Sequence, residues 1–130
     1  MRLLRNALIV ATWSCLISIT LNGAGWQKVT NPVAASEKSI ADGKQVYDRR
    51  CASCHGDLGK GDGMMGEELS PRPADLTDTD WKHGGSDSDI FMVIRNGIKN
   101  TGMRAYGRRL TTRQMWDVVN YVRTLGPQTH

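Results

Sequence analysis

The sequence predicts a small all-α domain. Three segments carry apolar residues at helical spacing, and each begins or ends at residues that typically cap helices. No segment has the alternating or β-branched pattern of a strand. The length of 130 residues is enough for one such domain beside a separate N-terminal segment.

The N-terminal segment has the pattern of an export signal. Arg2 and Arg5 precede a mostly apolar stretch from residue 7 to residue 21, and the first 35 positions contain no acidic residue. Because this stretch is shorter than the about 18 apolar residues of a membrane span, cleavage is favoured over an uncleaved anchor. We therefore expect residues 1–35 to form a signal or anchor with a polar linker, and residues 36–130 to form the exported domain.

The first helix leads into the most informative motif. Ser36 is a suitable N-cap, and helical spacing predicts a helix from about Glu37 to Ala52. The pentapeptide Cys51-Ala52-Ser53-Cys54-His55 has the attachment pattern of a c-type haem. Both thiols lie on one helix face, where they can add to the vinyl groups at one porphyrin edge, with His55 under the iron.

Zinc binding and dithiol redox chemistry are the alternatives for this motif. A closed zinc site needs a second pair of ligands, and the three other cysteine and histidine residues of the chain do not form one. A thioredoxin-like dithiol would follow a strand, and no strand pattern precedes Cys51. The motif therefore favours one covalently bound haem c.

A loop and two further helices follow the motif. Glycines between residues 56 and 66, followed by Pro71 and Pro73, exclude a continuing helix. Ser86 with Asp89 predicts the start of the second helix, which ends at Asn96-Gly97.

The last helix has the strongest signals of the three. Thr111 and Gln114 form a capping box, and Gly126-Pro127 ends the helix. Its apolar stripe consists of Met115, Val118, Val119, Val122 and Leu125.

Charge is segregated along the exported domain. The domain is nearly neutral, with 14 basic and 13 acidic residues. Nine acidic and three basic residues lie between Asp57 and Asp89, whereas six basic and no acidic residues lie between Ile90 and Trp116. Such a dipole orients charged partners. The near-neutral total argues against a nucleic-acid partner.

The motif, the helices and a methionine-containing loop resemble those of soluble, single-haem class I c-type cytochromes. The resemblance covers about residues 36–126. It implies a small cytochrome c fold, in which three or more helices surround one covalently bound haem c. It also implies that Gly43 on the first helix crosses closely against Tyr121 on the last.

The resemblance also suggests the site residues. Cys51 and Cys54 would bind the haem, and His55 would ligate the iron. A proline carbonyl, at Pro73 or less suitably at Pro71, would accept the Nδ1 proton of the histidine. Trp81 is expected to pack against the haem or to donate its indole proton to a propionate.

Met103 is the predicted sixth ligand. It lies in an irregular loop before the last helix, which resembles the ligand loop of the family, although Arg104 stands where the family often has proline. Met92 and Met115 have the helical spacing of core residues, and Met64 and Met65 follow the motif closely. His83 is a further candidate.

Ligation by His55 and Met103 would fill both axial positions, which favours electron transfer over catalysis. We expect a one-electron carrier, not an enzyme, between a redox donor and a redox acceptor in the periplasm or at the outer face of the cytoplasmic membrane. A partner with an acidic surface would dock on the basic face between Arg95 and Arg113. The alternatives are a haem subunit of a membrane or periplasmic oxidoreductase, and a gas- or peroxide-binding protein with an open sixth position.

Overall fold

The computed structural model describes residues 30–126. This range contains no strand and has four α-helices: α1 (Glu37–Arg50), α2 (Ala52–His55), α3 (Asp87–Asn96) and α4 (Thr112–Arg123). The predicted all-α fold is therefore confirmed. Within the same range, no helix has the length and apolar character needed to cross a membrane. The predicted signal or anchor at residues 7–21 lies outside the described residues.

Local capping sets where the three longer helices begin. The Ser36 hydroxyl accepts a hydrogen bond from the Ser39 amide at the start of α1. Capping boxes formed by Ser86 with Asp89 and by Thr111 with Gln114 begin α3 and α4, as the sequence predicts.

The first helix is shorter than predicted. It ends at Arg50, and Cys51 has φ −120° and ψ −39°, so the chain bends there before α2 begins. Hydrogen bonds continue across the bend, from the Cys51 amide to the Tyr47 carbonyl at 2.8 Å and from the His55 amide to the Cys51 carbonyl at 2.9 Å. The bend therefore redirects the haem-attachment motif without leaving these backbone groups unpaired.

The crossing of α1 and α4 is the framework of the fold. A β-carbon on Gly43 would overlap the Asp117 carbonyl group, so the two backbones touch there. The resemblance thus identified the helix pair that crosses closely at Gly43. Tyr121, its predicted partner, lies about one turn further along α4 and packs against Tyr47 of α1, with ring centroids 5.1 Å apart at 60°.

The last helix is buried on more sides than its apolar stripe indicates. Every residue from Met115 to Val122 is buried. Trp116, which the stripe omits, stacks on Phe91 of α3 with a centroid distance of 4.0 Å. Because α4 packs against both α1 and α3, its buried surface extends well beyond a single stripe.

A buried polar network joins the two crossing helices. The Ser39 hydroxyl donates to Asp117 at 2.5 Å, and Arg113 donates to both oxygens of the same carboxylate at 3.0 and 3.1 Å. The Asn120 amide donates to the Ser39 hydroxyl at 2.8 Å. Within residues 30–126, no buried polar side-chain atom lacks a partner.

The network extends to the segment before α1. Asn31 donates to the Asn120 side-chain oxygen at 2.7 Å, and the Asn120 amide in turn donates to the carbonyl groups of Val33 and Ala34. The sequence assigns these residues to the polar linker. In the structure they are bound to α4.

Candidate functional site

Cys51 lies at the start of the short helix α2 as its N-cap, and Cys54 lies within the helix. Both thiols are free and partly buried. The amides of Cys54 and His55 both donate to the Cys51 carbonyl, which holds the motif as one tight turn. Burial and the neighbouring Cys54 raise the pKa of the Cys51 thiol to about 12, so this thiol is protonated at neutral pH.

The glycine-rich loop closes the end of α2. A helix leaves its last carbonyl groups without intrahelical partners. Here all four carbonyl groups of α2 accept from following amides at 2.8–3.2 Å: Ala52 from Gly56, Ser53 from Met65, Cys54 from Gly63, and His55 from Gly61. The close approach requires glycine, since a β-carbon on Gly63 would lie 2.6 Å from the carbonyl oxygens of Ala52 and Ser53.

The His55 ring is oriented by the loop that follows. Its Nδ1 lies 3.3 Å from the carbonyl oxygen of Ala74, one residue beyond the predicted Pro73. The Pro73 carbonyl instead packs on the glycine loop, where a β-carbon on Gly61 would lie 2.6 Å from its oxygen. The loop path therefore makes Ala74, not Pro73 or Pro71, the acceptor.

The protonation state of His55 suits metal binding. Burial lowers the pKa of its imidazole, and the hydrogen bond to Ala74 opposes this shift only in part. The ring is therefore neutral at pH 7. When Nδ1 donates its proton to the Ala74 carbonyl, the lone pair of Nε2 is available to a metal ion.

Met103 is positioned by a tight turn after α3. Its amide donates to the Thr101 hydroxyl at 3.1 Å, and its carbonyl accepts from the Ile98 amide at 3.0 Å. Asn100 adopts a positive φ of 61°, and a β-carbon on Gly97 would lie 2.6 Å from the Met103 oxygen. This backbone is built from residues that tolerate the left-handed region, so the turn has a defined shape without a proline.

The other ligand candidates have different surroundings. Met64, Met65 and Met92 are 84%, 56% and 38% exposed, and His83 is also exposed. Met115 is buried in the core among apolar side chains. Met103 is partly buried and packs against the core. Among these candidates, Met103 alone combines partial burial with a position in a structured loop.

Tyr106 connects the methionine loop to the haem-attachment motif, and the sequence reasoning missed it. Its hydroxyl donates to the Arg50 carbonyl at 2.8 Å, next to Cys51, and its amide donates to the Ile94 carbonyl at 2.9 Å. Burial raises the pKa of Tyr106, so its hydroxyl keeps the donated proton. The only sequence signal was an aromatic residue three positions after Met103.

Trp81 lies where the end of α4 meets the start of α3. It is partly buried against the core, and the Arg123 guanidinium carbon lies 5.9 Å from the centre of its ring. Arg123 also donates to Asp87 at 2.7 Å and to the Gly85 carbonyl at 2.5 Å. These contacts account for the position of Trp81. A contact between Trp81 and the haem stays a prediction.

The donor set fits haem c better than zinc. Two thiols on one turn, an imidazole with its Nδ1 engaged and a loop thioether match the groups that hold haem c. In the described part of the chain, no three His, Cys, Asp or Glu side chains converge as a metal site would require. A structural zinc site needs four such ligands, so the zinc alternative has no support there.

Comparison with known proteins gives a family. The family model for cytochrome c matches residues 40–126. The chain is 34% identical over 99 residues to the cbb3-type cytochrome c oxidase subunit CcoP of Azospirillum brasilense, which covers 76% of this chain and 31% of that protein. It is 36% identical over 84 residues to the cbb3-type cytochrome c oxidase subunit FixP of Azorhizobium caulinodans. This match covers 65% of this chain and 26% of that protein. The chain thus spans between about a quarter and a third of the length of these relatives.

Solved structures agree with this family. A chain of the reducing HAO-like protein complex of Kuenenia stuttgartiensis has a TM-score of 0.69 and 29% identity, covering 74% of this chain and 47% of that one. Cytochrome cL from Hyphomicrobium denitrificans has a TM-score of 0.59 and 23% identity, covering 75% and 52%, and shows the same fold. The chain belongs to the cytochrome c family, with the class I fold and covalently bound haem c as its cofactor.

Proposed function

We propose that this protein carries single electrons between redox proteins outside the cytoplasmic membrane. Cys51 and Cys54 would hold the haem through thioether bonds, and His55 and Met103 would ligate its iron. The observation that carries the proposal is the arrangement of His55, whose Nδ1 lies 3.3 Å from the Ala74 carbonyl while Nε2 stays available to iron.

In this proposal the haem is the redox group, and the residues of the protein bind it and tune its potential. Haem c supplies a one-electron iron couple. The Ala74 carbonyl accepts a hydrogen bond from His55 Nδ1 and so fixes the orientation of the imidazole. The turn from Ile98 to Met103, which a backbone hydrogen bond closes, would supply the Met103 thioether, a ligand that raises the reduction potential. With His55 and Met103 both as ligands, the iron would have no open position for a substrate.

A second candidate function is that of a haem subunit in a larger oxidase. The similarity to CcoP and FixP, which are subunits of cbb3-type cytochrome c oxidases, favours this candidate. The two functions share the electron-transfer chemistry and differ in what the domain is attached to. Fractionation separates them, since a free carrier is recovered in the periplasmic fraction and a fixed subunit is recovered with membrane oxidase activity.

Absorption spectroscopy of the purified protein tests the proposed ligation. The reduced protein is expected to show the bands of six-coordinate haem c, and carbon monoxide is expected to leave them unchanged because both axial positions are filled. A shift of these bands with carbon monoxide would mean that the sixth position is open or easily vacated. That result would contradict the carrier proposal and favour a gas- or peroxide-binding protein.

A further inference from the structure

The outer side of the haem-attachment turn carries an exposed apolar surface. Leu58, Met64 and Met65 are 65%, 84% and 56% exposed, the three highest values among the large hydrophobic residues described. Leu58 and Met64 line an open cleft of about 640 Å³ together with Ala52 and Ser53 of the turn. Met65 is the chain neighbour of Met64. Single exposed apolar residues are ordinary, but two that line one cleft, with a third beside them in the chain, mark an interaction surface.

This surface lies away from the face of the turn that carries the two thiols. In a helix, Ala52 and Ser53 lie more than a quarter turn away from the face shared by Cys51 and Cys54. It is nevertheless close to the haem attachment along the chain. The Met65 amide donates to the Ser53 carbonyl at 2.8 Å, and Ser53 is the covalent neighbour of Cys54.

The rim of the cleft is acidic. Asp57 and Asp62 line it, and neither forms an ion pair within residues 30–126. Asp48 also lines it, but its charge is paired with Lys44 at 2.7 Å. Glu67 and Glu68 follow on the same loop and are exposed, whereas Lys60 is the one basic residue between positions 57 and 68. The local charge is thus opposite to that of the stretch from Arg95 to Arg109.

We propose that Leu58, Met64 and Met65, with Asp57 and Asp62, form a second docking face for a redox protein whose contact surface has apolar side chains ringed by lysine or arginine. This inference rests on the proposed function as an electron carrier. Charge complementarity selects the partner, and the apolar residues give it a surface to bury. Because the acidic and basic faces differ in sign, the donor and the acceptor would not compete for one surface.

A mixed monolayer of ammonium- and methyl-terminated thiols on gold reproduces the chemistry of such a partner. The holoprotein is expected to adsorb on it and to exchange electrons with the electrode reversibly. The side chains of the described domain nearly balance, with 14 basic and 13 acidic residues, so the test of the docking face is which single substitutions weaken adsorption. The apparent affinity should fall about tenfold in Asp57→Lys, because the local charge is reversed at the contact.

Two matched controls test whether the loss of adsorption depends on the position of the substitution at the cleft, and not only on the charge change or the residue type. Asp80→Lys makes the same charge change at an exposed carboxylate outside the cleft, and is expected to change the affinity less than about twofold because screening is strong beyond about 8 Å. Met64→Ser should weaken adsorption several-fold, whereas Met92→Ser, an exposed methionine of α3, should not. Equal effects in the paired variants, or no adsorption of the unaltered protein, would overturn the second face.

The visible spectrum of each variant keeps the two proposals distinguishable. Loss of the six-coordinate bands would contradict the ligation proposed above. Unchanged spectra with equal adsorption of all variants would contradict only the docking face.

Discussion

Gly43 of α1 lies directly against the carbonyl group of Asp117 of α4, with no room between them for a β-carbon. The side chain of the same aspartate accepts hydrogen bonds from Ser39 and from Arg113. One residue of α4 therefore fixes both how close the two helices come and how they are aligned along each other.

The first prediction concerns this helix crossing. Gly43→Ala is expected to lower the free energy of unfolding of the holoprotein by about 1–3 kcal/mol, because the new methyl group must push two backbones apart. Guanidinium denaturation measures this change. Gln45→Ala, an exposed position on the same helix, should stay within about 0.5 kcal/mol of the parent protein. Similar losses for both variants would show that the crossing is not tight at Gly43.

The second prediction concerns the buried carboxylate. Asp117→Ala should lower the free energy of unfolding by about 1–3 kcal/mol, since the buried Ser39 hydroxyl would lose the carboxylate to which it donates. Asp42→Ala is the matched control, because Asp42 also pairs with a basic residue four positions away but at the surface. That variant is expected to lose less than about 1 kcal/mol. Thermal and denaturant unfolding of both proteins decide between these outcomes.

The third prediction concerns covalent attachment. Extraction with acidified acetone should leave the haem on the protein, and the mass of the polypeptide should rise by that of one haem. Cys51→Ala with Cys54→Ala should abolish the mass increase, whereas Cys15→Ala should not affect it. Crosslinked haem in the double variant would refute the assignment of the two thiols.

The fourth prediction concerns the sixth ligand. Met103→Ala should open the axial position, lower the reduction potential and permit carbon monoxide to bind, because the thioether that favours ferrous iron is lost. Met64→Ala and Met65→Ala should leave the spectrum unchanged, since both side chains are exposed. If either of these variants loses the methionine ligation signal instead, the ligand lies in the glycine-rich loop.

The fifth prediction concerns the basic face. Arg95, Lys99, Arg104, Arg108 and Arg109 are exposed and form no ion pair in the described structure. Arg113, which the sequence assigns to the same face, is instead paired with Asp117. Oxidation of the reduced protein by ferricyanide, an anionic acceptor, should slow as salt is added, because the Debye length falls to about 8 Å at physiological ionic strength.

Charge reversal locates the surface that ferricyanide uses. Arg104→Glu or Arg108→Glu should slow the reaction more than Lys60→Glu, a matched change on the acidic loop. A rate that does not depend on salt, or a larger loss in the Lys60 variant, would argue against the basic face.

Local patterns explain which features the sequence could predict. The starts of α3 and α4 follow from capping boxes whose residues are three positions apart, so no tertiary contact is needed to recognise them. The haem-attachment motif is equally local. The burial of Asp117 and Asn120 was not predictable from a helical stripe, because it arises from contacts with α1 and with residues 31–34. The choice of Ala74 over Pro73 likewise depends on the path of a loop around Gly61.

The hydrogen bond from Asn31 to Asn120 has a practical consequence for where the folded unit can be cut. A shortened protein beginning at Ser36, the cap of α1, would lose Asn31 and the carbonyl groups of Val33 and Ala34. Asn120, which is buried, would then keep only Ser39 among its present partners. Recombinant versions of the haem domain should therefore start no later than residue 30, and limited proteolysis should spare residues 31–35 as long as the helices remain folded.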